Sequence, residues 1–201
     1  MASSGAALNL LGWLAGSSVS TVSAVMARSL DLLLAPARYT EMLWIVLPLL
    51  AMMVAMELYF SVYADESLGW NSATANSLFL ALISLDLLRQ LFSIVPFSLD
   101  GMLMERGLFT IAGTLLVLGI VLFILNFKHA LPQKIAFSFS SVLPVNLFAY
   151  FSVVVVYSHL SIGREGIPLD ALTGIAAVAL FLAAATLFGL VHLAVRRGRF
   201  P

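Results

Sequence analysis

The sequence predicts an all-α fold: a multi-pass membrane helix bundle of five transmembrane helices, with an N-terminal amphipathic helix lying in the interface. Three observations carry that reading. Of 201 residues, 62% are apolar and 10% charged, whereas soluble domains hold about 45–50% apolar and about 25% charged residues. Five apolar runs are long enough to cross the hydrocarbon, which takes about 20 residues at a rise of about 1.5 Å each. None of them alternates polar with apolar, which excludes a transmembrane β-barrel. Ten basic residues balance ten acidic ones, so there is no basic face for a nucleic acid. With no cysteine, disulfides, thiol catalysis, Fe–S clusters and Cys-based zinc sites are excluded.

The first element is the most ambiguous. Residues 1–27 are uncharged, but Ser3, Ser4, Ser17, Ser18, Ser20, Thr21 and Ser23 dilute them. Leu8, Leu11, Leu14, Val22, Val25 and Leu32 recur near helical spacing, while Ser17, Ser20, Thr21 and Arg28 tend to another face. Residues 5–34 therefore read as a helix in the interface, with Trp13 at headgroup level. A sixth span is the alternative. A signal peptide does not fit, because no basic n-region precedes the apolar stretch.

The spans follow in order. Residues 41–64 hold Glu57 as their one deep charge, and 72–95 hold Asp86 and Arg89. Residues 107–127 run uncharged between Arg106 and Lys128, and 135–158 between Lys134 and His159. Residues 171–195 lead into Arg196, Arg197 and Arg199. Short connections throughout make residues 1–201 one membrane domain. Lys and Arg number five on the side of the C-terminus and four on the other, which tips the C-terminus towards the cytoplasm.

Charged groups within the hydrocarbon cost about 2.5–3.5 kcal/mol each, so each needs a reason. In the second span Asn76, Asp86, Arg89 and Gln90 fall with Ser72 and Ser93 within roughly 140° of arc, one polar stripe. Asp86 and Arg89, three apart, are placed to pair. The stripe is either a solute or proton path, or an internal ion pair at a helix seam. Glu57 lies near the end of the first span, where a hairpin through 63–71 would bring it close to Asn76.

Glu57, Tyr59, Tyr63, Trp70 and Asn71 make the densest polar and aromatic stretch of the chain. They read as an interfacial belt, or as a partner- or ligand-facing hairpin. Gly69 is expected to supply the turn, and Asn71 or Ser72 the cap of the next helix.

In the fourth span Pro144 removes a backbone donor and frees the carbonyl of Ser140, predicting a kink that Ser140 or Ser141 would satisfy. Asn146, Tyr150 and Tyr157 fall within about 40° of arc, a hydrogen-bonding strip. The third span, almost bare of polar groups apart from Asn126, reads as a lipid-contacting helix or one embedded in an assembly. The fifth is rich in small residues, and Ala185 with Gly189 marks a packing face. Asp170 is placed to cap its start.

His129, His159 and His192 sit near helix ends without the spacing of a metal or haem site. No nucleophile elbow, phosphate loop or dinucleotide fingerprint occurs. The expectation is a non-enzymatic protein without cofactor, embedded in the lipid bilayer. It would pack with itself or with other membrane subunits. The alternative is a small transporter or channel that uses the polar faces of the second and fourth spans.

Overall fold

A computed structural model describes residues 3–63, 69–161 and 165–198, with side chains over 20–63, 69–161 and 165–195. Every regular element in them is helical. A long α1 (Ser3–Arg38) leads through a 3-10 turn (Thr40–Met42) into α2 (Leu43–Val62). Then follow α3 (Trp70–Ile94), the short α4 (Leu99–Met104), α5 (Arg106–Phe127), α6 (Gln133–Phe139), α7 (Val142–Leu160) and α8 (Ala171–Gly198). Five helical stretches are long and apolar enough to span a bilayer: Thr40–Val62, Trp70–Ile94, Arg106–Phe127, Gln133–Leu160 and Ala171–Val195. The protein is an all-α membrane bundle.

The tightest pairing joins α3 and α5. Buried residues on α3 include Ala73, Ser77, Leu80, Ser84, Leu87 and Leu91, at alternating spacings of four and three. Those on α5 are Leu108, Ala112, Leu115, Gly119, Leu122 and Asn126, with the same alternation. Contacts between Asn126 and Ala73 at one end, and between the Phe92 and Phe109 rings at the other, set the two helices antiparallel. In that register the two series mirror each other, giving the 3.5-residue seam of a left-handed pair. Small residues let the backbones approach. A Cβ on Gly119 would lie 2.7 Å from the backbone nitrogen of Ala81, so only glycine fits. One face of α5 is thus a helix seam, while Val117, Ile120, Val121, Ile124 and Phe127 keep the outward face that suits lipid or a neighbouring subunit.

α7 is the hub. It touches α1, α2, α3, α5, α6 and α8, and residues 153–158 are all buried. α2 packs on α7 and α8, and α1 lays its C-terminal part on α8 and α7, burying Leu32 and Ala35. α2 and α3 do not touch, although one follows the other in sequence. The expected hairpin over 57–76 is therefore not a packed unit: each arm finds α7 instead of the other.

The fourth span is broken rather than bent. α6 ends at Phe139 and α7 begins at Val142, with Ser140 and Ser141 between them. The break lies at the carbonyl that Pro144 cannot serve. α3 starts one residue before the expected caps, at Trp70, behind an extended Gly69 (φ −85°) with no side-chain cap. No left-handed turn at Gly69 is needed. At the end of α5 it is His129 that adopts a positive φ of 51°. There the Ala130 N–H bonds to Leu125 O at 2.8 Å, closing a Schellman-type end. α8 is capped as expected, with the Thr173 N–H donating to Asp170 Oδ1 at 2.7 Å.

Candidate functional site

The polar stripe expected along α3 divides into two clusters. Near the C-terminal end, Arg89 donates to Asp86 Oδ1 from Nη2 at 2.7 Å and from Nε at 3.1 Å. The other carboxylate oxygen accepts from the Tyr157 hydroxyl at 2.9 Å, and Gln90 Nε2 donates to the same hydroxyl oxygen at 3.0 Å. Asp86 thus joins its own helix to α7. Arg89 is largely exposed (69%), whereas Asp86 is mostly covered (26%). The more covered member of the pair is held by a phenol as well as by a guanidinium, and the phenol was not foreseen as its partner.

Asn76 belongs to a separate cluster two turns and more away, at the opposite end of the bundle. Its Nδ2 donates at 2.8 Å to the carbonyl of Ser140. That is the carbonyl Pro144 leaves free, so an amide from α3 rather than a neighbouring serine completes the break. Beside it Asn126, fully buried, places Nδ2 2.7 Å from Ser140 Oγ and 2.8 Å from Ser77 Oγ. Asn126 Oδ1 and Asn146 Oδ1 have no hydrogen-bond partner among the described residues. Asn126 is the residue sequence reasoning passed over. Its signal was its place at the end of the four-three series, not its isolation.

Between the clusters α3 buries Leu80, Ser84 and Leu87. The Ser84 hydroxyl donates to Ala81 O at 2.8 Å, within its own helix. Among the described residues no chain of hydrogen bonds along α3 links the two clusters.

The groups of the expected hairpin site go to different neighbours. Glu57, on α2, faces His192 on α8 instead of Asn76. His192 Nε2 lies 3.6 Å from the carboxylate and 3.1 Å from the Glu57 carbonyl. Tyr59 and Tyr63 tilt against each other at 4.7 Å. Trp70 stacks on His129 at 4.2 Å and meets Phe137 edge-on. With exposed Asn71 it borders a cleft of about 380 Å³ that reaches Thr74, Phe123 and Phe127. The carboxylate and the tryptophan do not form one site.

The strip on α7 divides too. The Tyr150 hydroxyl donates to Leu32 O of α1 at 2.9 Å, Tyr157 reaches α3, and Asn146 Nδ2 donates to Val142 O of its own helix. Shared azimuth did not mean a shared partner, because the phenols reach opposite neighbours of the hub. Ala185 and Gly189 on α8 make no close internal seam: a Cβ on Gly189 would meet nothing within 4 Å.

Among the described residues no three of His, Asp and Glu gather in metal-binding geometry. What the arrangement does chemically is fasten helices: one carboxylate–phenol–amide link joins α3 to α7, and one amide–carbonyl link mends a helix break. Comparison with known protein families, curated proteins and solved structures finds no match. The class defined by the fold is that of α-helical integral membrane proteins, with five apolar spans among the described residues.

Proposed function

We propose that the protein is a non-enzymatic subunit that packs, with copies of itself or with other membrane proteins, inside a larger membrane assembly. The observation that supports this reading best is the pairing-off of the polar groups of α3 into two clusters separated by Leu80, Ser84 and Leu87. Transport along α3 needs polar groups at successive depths open to a common path, and those of α3 are closed on partners in two clusters. The outward face of α8 adds to the argument. Ile175, Val178, Leu182, Leu187 and Leu190 are all more than half exposed, and α8 has little of its length inside the monomer. In this reading α1 stays at the membrane boundary. Arg28 Nη1 bonds Thr173 Oγ1 at 2.9 Å, its Nη2 lies 3.7 Å from Asp170, and the Tyr39 hydroxyl reaches Glu165 O at 2.8 Å. All three tie α1 to the end of the bundle where α8 begins. In the same reading the arginines of the C-terminal tail favour a cytoplasmic C-terminus.

The test is reconstitution of the purified chain alone into liposomes, with native mass spectrometry of the same preparation. The expected result is a defined oligomer or a stable complex, without solute flux above empty liposomes. Gradient-coupled flux overturns the reading in favour of a transporter, and a strict monomer that retains no protein partner overturns it as well.

A further inference from the structure

At the end of the bundle where α2 begins and α3 and α7 finish, a cleft of about 370 Å³ opens between Glu41, Gln90, Ser93, Tyr157 and Ser161. These residues sit at the boundaries of three spans, Thr40–Val62, Trp70–Ile94 and Gln133–Leu160, or within about two turns of them. The cleft therefore lies at headgroup depth, with Ile94 and Leu160 as its apolar side.

Its chemistry is one of acceptors. Asp86, behind the cleft, is already held by Arg89 and Tyr157, so the charge the cleft presents is that of Glu41. Among the described residues no cation stands within ion-pair distance of Glu41, and its protein contact is the Ser161 hydroxyl at 3.4 Å. Gln90 uses Nε2 to donate to Tyr157, and Oε1 has no partner among the described residues. The Tyr157 hydroxyl donates to Asp86, the Ser93 hydroxyl to Gln90 O at 2.6 Å, and Ser161 also lies 3.3 Å from Tyr157 O. Each hydroxyl proton therefore has an acceptor inside the protein, and what faces the cleft is oxygen lone pairs beside one carboxylate.

We propose that this cleft binds a primary ammonium group, brought by an ethanolamine-type lipid headgroup or by a free amine. A primary ammonium offers three N–H donors and no acceptor, matching Glu41, the Gln90 carbonyl and a serine oxygen. An anionic headgroup meets only Glu41, and a trimethylammonium has no N–H to give. Quaternary ammonium recognition uses aromatic faces, and the one aromatic ring here, Tyr157, is turned to Asp86.

The experiment uses the full chain in detergent, with native mass spectrometry titrated with phosphatidylethanolamine or phosphatidylcholine of matched chains, and with ethanolamine as competitor. Phosphatidylethanolamine is expected to bind at least tenfold more tightly than phosphatidylcholine. Glu41→Gln should remove that preference, Ser161→Ala should weaken it, and Glu105→Gln, an exposed carboxylate elsewhere, should leave it intact. Displacement by millimolar ethanolamine assigns the site to the ammonium alone, and retention of the lipid assigns it to the headgroup as a whole. Equal binding of the two lipids overturns the proposal, as does a preference that persists in Glu41→Gln, or no binding of either probe.

Discussion

Asn76→Ala tests the claim that an amide from α3 completes the broken span. The Ser140 carbonyl lies four residues before Pro144, which has no N–H to offer it. Neighbouring donors are engaged: Ser77 Oγ donates to Ala73 O at 2.8 Å, and the Asn126 amide addresses hydroxyl oxygens and Ala73 O. Removing the Asn76 amide therefore leaves a buried carbonyl unserved, at a cost of about 1–3 kcal/mol. Truncating a side chain that is only 5% exposed adds a small cavity term, so the upper half of that range is expected. Equilibrium unfolding in mixed micelles measures the loss. The decisive comparison is a double-mutant cycle with Pro144→Ala, which restores a backbone N–H and lets the helix close through Ser140 and Ser141. In that background Asn76→Ala should cost less, by a coupling of about 1 kcal/mol or more. Strict additivity, or a single-mutant loss inside about 0.5 kcal/mol, the range of a neutral surface change, would refute the reasoning.

Two further outcomes follow from the packing and from the cap of α8. Gly119→Ala pushes a methyl onto the Ala81 backbone and should destabilise by about 1–3 kcal/mol. Gly189→Ala meets open space and should be neutral or slightly stabilising in the same unfolding assay; equal losses would dispose of the close-approach argument. The Asp170 carboxyl is held below its ordinary value of 3.8, first by the Thr173 N–H, then by the Thr173 hydroxyl and Arg28. A lowered folded pKa means stability that is fully present above 3.8 and lost as pH falls through the folded value. Asp170→Asn should flatten that part of the stability–pH curve, and an unchanged acid slope would count against the cap.

The five spans were legible because lipid demands long apolar runs, and no packing detail changes that requirement. The α3–α5 seam was present in the sequence as well, at Ala73, Ser77, Leu80, Ser84, Leu87 and Leu91 facing the mirrored series on α5. It escaped notice because inside a membrane the buried face is no more apolar than the lipid face. The informative residues were the small ones, Ser77, Ser84 and Gly119, not the leucines. The freed Ser140 carbonyl could be named from Pro144, but its donor could not, since Asn76 lies 64 positions away. Glu57 was expected at Asn76 on the assumption that consecutive spans pack together. The bundle places α7 between α2 and α3, and the carboxylate meets His192, 135 positions along the chain.

That insertion of α7 explains why its polar strip could not work as a single surface. On one side stand α3 and α5, on the other α1, α2 and α8, and among the described residues no helix of one group packs on a helix of the other, while α7 packs on all five. Tyr150 and Tyr157 are separated by almost two full turns and share an azimuth, yet Tyr150 bonds the α1 backbone and Tyr157 bonds Asp86. Each phenol is the polar contact of α7 with a different group. Their arrangement is what a bundle assembled around a central helix requires, because apolar side chains alone do not distinguish a neighbouring helix from lipid. A pore would need these same groups turned towards a common lumen. Here Asp86, Tyr157 and Gln90 close on one another, as do Asn76 and Ser140, and Asn146 Oδ1, buried without a partner among the described residues, belongs to neither cluster.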